Sequence, residues 1–231
     1  MFPTYIRLFL LIILIGTLLS SCENSIPSDD AQPQTEVTPT SIFTTTPTSQ
    51  PVSEPTPHSF HGLQYDPIEP APDFELIDHE GSTVRLSDLQ GKVVLLYFGF
   101  LNCPDACPMT FATWQQAYKR LKTNDNIDTN DLRFVFISVD PERDSPQLIR
   151  DYLDIFDPDF MGLWGTVDEV EDIARSYNVF MQKVETDSAM GYLVNHTTLT
   201  FVIDPNGDLV LAHQIDINSQ ELMADLTALL P

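Results

Sequence analysis

Cys103-Pro104-Asp105-Ala106-Cys107-Pro108 sets two thiols four residues apart, just after the apolar run Val93-Val94-Leu95-Leu96-Tyr97-Phe98. At a strand-to-helix junction such a pair has two chemistries open to it. It can chelate one soft metal ion, or close on itself as a disulfide. Pro108 lacks an N–H and clashes one turn back in a helix interior, so it suits the first helical position. That places Cys107 at or beside the N-cap and Cys103 in the loop before it. Free N–H groups and the helix dipole lower a cysteine's pKa there, and both chemistries need a thiolate. A bridge across so short a loop constrains little of the unfolded chain, so stability alone is a weak reason for the pair.

Two thiolates are a low ligand count, and a soft d¹⁰ ion such as Cu(I) accepts a third donor from sulfur or imidazole. The chain has five histidines. His58 and His61 fall in or beside a low-complexity segment, His79 in a polar turn, and His213 near the end of an expected strand. His196 stands just before another expected strand, a position that by itself assigns no role.

The elements that must position these groups alternate along the chain. A hairpin is expected from 74–77 and 84–86, then a buried strand over 93–98 and a helix over 108–122. A strand over 133–139 leads to the turn Asp140-Pro141-Glu142-Arg143-Asp144-Ser145-Pro146, whose end starts a helix running to about 156. A helix over 167–177 and strands over 179–184, 198–203 and 209–213 follow. The last two strands are joined by the hairpin signal Asp204-Pro205-Asn206-Gly207, and a helix over 221–230 closes the chain. The pattern is that of an α/β domain with a central mixed sheet flanked by helices and an N-terminal β-hairpin.

Ahead of this domain, Arg7 precedes an uncharged apolar stretch over 8–19. That length suits a signal peptide and is short of the roughly 20 residues that span a membrane. Leu19-Ser20-Ser21-Cys22 resembles a bacterial lipobox. Residues 1–21 are therefore expected to be a signal peptide and Cys22 a lipidated N-terminus, which would hold the protein to the extracytoplasmic face of a bacterial membrane as a lipoprotein. Residues 22–65 are rich in Ser, Thr and Pro, and read as a disordered tether. Residues 66–231 are the folded domain. Eleven Lys plus Arg against 34 Asp plus Glu give a formal charge of −23, which argues against nucleic acid as a partner.

Three separated stretches resemble the SCO/SenC family. The segment from Phe98 through Cys103-Pro104-Asp105-Ala106-Cys107-Pro108 is similar to its C-P-D-x-C-P signature, and Asp140-Pro141-Glu142-Arg143-Asp144-Ser145 to its D-P-x-x-D-[ST] turn. Tyr192-Leu193-Val194-Asn195-His196, followed by Phe201 to Gly207, resembles its histidine loop and hairpin. The resemblance implies a thioredoxin-like fold and copper as the cargo, held as Cu(I) by Cys103, Cys107 and His196, with binding of Cu(II) left open. It further implies second-layer roles for Asp105, Asp140 and Asn195, the last standing where the family usually has Asp. The implied function is that of a membrane-tethered metallochaperone rather than an enzyme. Its partner would be the copper-site subunit of cytochrome c oxidase or another extracytoplasmic copper acceptor. The alternative is a thiol–disulfide oxidoreductase with Cys103 and Cys107 as its redox pair, acting on a partner's copper-site cysteines. Three residues between the cysteines, and no proline directly before the 198–203 strand, count against that reading.

Overall fold

The structure, a computed structural model, describes residues 59–187 and 191–230. At the centre of its eight-stranded sheet lies β4 (Val93–Gly99), buried along its whole length. Alternate side chains of a strand face opposite ways. Val94, Leu96 and Phe98 enter one core, and Val93, Leu95 and Tyr97 the other. A strand covered on both faces needs no polar alternation, which explains its unbroken apolar run.

Parallel to β4 on one side run β5 (Leu132–Ser138) and β6 (Met161–Trp164). On the other side β9 (Thr200–Ile203) runs antiparallel to β4, and β10 (Asp208–His213) antiparallel to β9. The expected opening hairpin, β2 (Glu75–Asp78) with β3 (Thr83–Arg85), closes the edge beyond β6. The opposite edge is β1 (Leu63–Pro70), giving the order β1-β10-β9-β4-β5-β6-β2-β3. Three helices contribute to the core on the Tyr97 face: α1 (Ala106–Lys122), α2 (Pro146–Leu153) and α4 (Ser219–Leu229). The other face takes α3 (Val167–Ser176) and a separate two-stranded ribbon, β7 (Met181–Glu185) with β8 (Tyr192–His196).

Ser145 caps α2 with Pro146 in its first turn, as the turn chemistry indicated. Three strands depart from expectation. β1 carries Pro67 and Pro70 and is largely exposed, so it lacks an apolar signal. β6 is four residues long and contains Gly162, where a Cβ would lie 2.1 Å from Ile149 Cγ2 of α2. His196, expected in a loop, ends β8.

The folded chain also begins earlier than residue 66. Residues 63–65 are strand, and His61 is fastened to α4. The buried Asp225 accepts from the His61 ring at 2.9 Å, from the His61 and Gly62 backbone N–H groups, and from His213 Nε2 at 2.8 Å. The polar look of the 59–65 stretch hid this anchor, because its partners lie more than 160 residues away. Cys22 and the signal-peptide segment lie outside the described residues. Among the described residues, no helix is long and apolar enough to cross a membrane.

Candidate metal centre

The C-terminal ends of β4 and β5 are stitched together where the cysteine loop departs. Val139 N–H donates to the Gly99 carbonyl at 2.7 Å, and Cys103 N–H turns back to the Phe100 carbonyl. Gly99 is required by close approach: a Cβ there would meet Cys107 Sγ at 2.7 Å and Tyr97 at 2.8 Å. The helix starts two residues sooner than Pro108 suggested. Asp105 is the N-cap, accepting from Ala106 N–H at 2.6 Å. Cys107 thus sits inside the first turn, fully buried, and Pro108 occupies another position whose N–H has no helical partner to lose.

This arrangement splits the two thiols. Cys103 is half-buried at the loop surface and accepts from Cys107 N–H at 3.4 Å. Its pKa is held down to about 4, first by the Cys107 thiol donating to it. The His196 ring and the backbone N–H groups of Cys107 and Asp105 add to this, and burial opposes it. Cys107 is pushed well up, by that same donated hydrogen bond, by burial and by the neighbouring charge. The pair holds one proton, with the negative charge on Cys103. Because the Cys107 proton is committed to Cys103, the Tyr97 hydroxyl, 3.8 Å from Cys107 Sγ, is the donor in that contact. Burial and the adjacent sulfur raise the Tyr97 pKa, so the phenol keeps its proton.

The third group arrives from the ribbon. His196 packs edge-on against Tyr97 and Phe100, with ring centroids 6.0 and 5.8 Å away. Its Nδ1 lies 2.8 Å from the Thr197 carbonyl. A carbonyl only accepts, so Nδ1 donates to it, and Nε2 is the nitrogen left to turn toward a metal. One ligand atom each from Cys103, Cys107 and His196 falls within 4.8 Å of the others, and among the described residues no carboxylate joins them. Two sulfurs and one imidazole, walled by aromatic rings, suit a soft ion of low coordination number.

The residues expected around the ligands divide. Asp105 is exposed, and its carboxylate caps the helix while its backbone N–H serves Cys103. Asp140 is fully buried but touches no ligand; it holds Tyr192 and Arg143. Asn195 is exposed, since neighbours on a strand face opposite ways and His196 points inward. Sequence reasoning passed over Tyr97 and Asp144. Asp144 accepts from Leu101 N–H at 3.1 Å and Ser138 Oγ at 2.6 Å, tying the cysteine loop to β5.

The SCO1/SenC family model matches residues 64–231. The chain belongs to the SCO1/SenC family. An SCO2-like protein of Rickettsia prowazekii is 34% identical over 159 residues, covering 68% of this chain and 76% of that protein. Apo Sco1 from Thermus thermophilus shares 40% identity at a TM-score of 0.67, over 76% of this chain and 100% of that one. Bradyrhizobium japonicum ScoI with copper bound shares 33% identity at a TM-score of 0.63, over 70% and 100% of the two chains. The fold is thioredoxin-like, as the resemblance implied. In this SCO1/SenC chain the two signature cysteines and the ribbon histidine meet at one point.

Proposed function

We propose that this protein is an extracytoplasmic, membrane-tethered copper metallochaperone whose cargo is Cu(I), held by Cys103, Cys107 and His196. The observation that carries the reading is the convergence of these three soft donors within 4.8 Å of one another. The copper-bound ScoI of B. japonicum supports the choice of metal. Loading replaces the shared thiol proton, so both sulfurs become thiolates on the ion, with Tyr97 donating to Cys107. Three ligands leave room for an incoming one, and the half-exposed Cys103 is where an acceptor's thiolate or imidazole would enter. The acceptor we assign is the copper site of cytochrome c oxidase, reached on the outer face of the membrane by a tether lipidated at Cys22. Cu(II) is a second form the same site would be tested for.

The reduced protein is expected to bind one equivalent of Cu(I), with affinity falling sharply in His196→Ala and binding abolished in Cys103→Ser/Cys107→Ser. Absence of stoichiometric binding by the wild type would sink the reading.

One observation favours a second activity. A low-pKa, accessible Cys103 beside a high-pKa, buried Cys107 is the asymmetry of an attacking and a resolving thiol. In that activity Cys103 attacks a partner's disulfide, forming a mixed disulfide and releasing one partner thiol. Cys107 then gives up its proton, attacks the Cys103 sulfur and displaces the second partner thiol. Two electrons pass to the partner, and Cys103–Cys107 is left oxidised. Copper-free protein turning over a disulfide substrate would establish it, and Cys103→Ser should then be inert.

A further inference from the structure

His196 stands at one end of β8 and Tyr192 at the other, and with Val194 they share one face of the strand. The ribbon that β8 forms with β7 is not hydrogen-bonded into the eight-stranded sheet. A two-stranded ribbon is marginal alone, so side-chain contacts must set where it sits. A single turn at the end of β5 supplies a set of them. Asp140 accepts from the Tyr192 hydroxyl at 2.7 Å and pairs with Arg143 Nε. Arg143 in turn donates through Nη1 to the Tyr192 carbonyl at 2.9 Å, and its guanidinium lies 3.6 Å from the centre of the Tyr192 ring. Glu142 pairs with Lys183 on β7. In the same turn Asp144 holds Leu101, two residues before Cys103. Both halves of the site therefore hang from residues 140–144: the thiols through Asp144, the imidazole through Asp140.

We propose that Tyr192 is a positioning residue for His196. Its hydroxyl on Asp140 fixes the ribbon so that the imidazole faces the two sulfurs, and so sets how firmly the third ligand holds the cargo. This deepens the copper reading and rests on it for its effect on affinity, though the clamp itself is present without metal. Tyr192→Phe removes the hydroxyl and keeps the ring under Arg143.

With the full-length reduced protein and a chromophoric Cu(I) chelator as competitor, Tyr192→Phe should weaken Cu(I) binding by roughly tenfold, about what one hydrogen bond to a charged group contributes. In a His196→Ala background the same change should cost nothing further, because the clamp acts only through that ring. In the copper-free protein the His196 ring signals in nuclear magnetic resonance should shift or broaden, while the indole signals of Trp114 stay put. Wild-type affinity in Tyr192→Phe, or an equal loss in both backgrounds, overturns the assignment. If the wild type itself binds no Cu(I), the copper reading falls. An unchanged His196 ring in Tyr192→Phe would then overturn the clamp, and a shifted one would uphold it.

Discussion

Two polar clusters in this molecule use nearly the same parts to opposite ends. At the metal centre, two sulfurs and an imidazole meet with lone pairs left over. At the other cluster, His61 and His213 meet Asp225, and the carboxylate is filled by hydrogen bonds from both rings and two backbone N–H groups. The difference lies in what the neighbouring groups supply. Thr197 engages only one nitrogen of His196 and leaves the other as a donor to metal. Around Asp225 the N–H groups of residues 61 and 62 complete a closed set, so the cluster is a latch joining the start of the fold to α4. His213 too keeps one ring nitrogen without a hydrogen-bond partner, so what makes His196 a ligand is the pair of sulfurs beside it.

The largest effect should come from breaking the latch. Asp225→Ala leaves the buried His213 Nε2 and the part-buried donors of His61 and Gly62 without their acceptor. It should destabilise the protein by about 3 kcal/mol, the upper range for a buried donor left unsatisfied. Denaturant unfolding measures this. The protein that remains folded should still bind one Cu(I), and a lost stoichiometry would mean the two clusters are not independent. The converse experiment is His196→Ala, where the Thr197 contact is local and the ring half-buried. Unfolding free energy should change by less than about 1 kcal/mol, while Cu(I) affinity falls about a hundredfold, at the upper end of what supporting residues alone contribute at metal sites. Gly99→Ala acts on stability and site at once. Its new methyl would press on Cys107 Sγ and Tyr97, costing about 1–3 kcal/mol as overpacking and also weakening copper binding. Unlike the first two substitutions, it should move both readouts together, and affinity unchanged at reduced stability would show that the Cys107 sulfur has room to shift.

The same comparison explains what the sequence could disclose. The cysteine pair was legible because its chemistry is local: spacing, a proline and a preceding apolar strand. β4, the 204–207 hairpin and the Ser145-Pro146 helix start were legible for that reason too. His196 drew no signal from its neighbours and emerged only through family resemblance, because what makes it a ligand is a ribbon folding back on a strand end about 100 residues earlier in sequence. Asp140 with Tyr192 is separated by 52 residues, and His61 with Asp225 by 164; no periodicity encodes such pairs. Asn195, given a supporting role through the family resemblance, is turned to solvent by the alternation of the strand. β1 and β6 escaped notice because an exposed edge and a four-residue strand pressed against a helix carry too little pattern.

The finest test separates the two histidines of the latch by pH. Hydrogen bonding to Asp225 raises the pKa of His61, with the charges of Asp225 and Glu221 adding to it, whereas burial lowers that of His213. A raised folded-state pKa means that the His61 contribution is complete below its ordinary value near 6.5 and is lost as pH rises through the folded value. For His213 the sign reverses: the folded protein resists its protonation, so acidification below about 6.5 costs stability. In the wild type the two trends offset each other between about pH 8 and 5.5. His61→Ala keeps the backbone N–H bonds to Asp225 and removes the ring's hydrogen bond together with the compensating charge, so its stability should be lower and should fall more steeply on acidification than that of the wild type. Urea midpoints at the two pH values measure the slopes. Parallel slopes would show that His61 carries no extra proton in the latch, and that Asp225 is held by neutral hydrogen bonds alone.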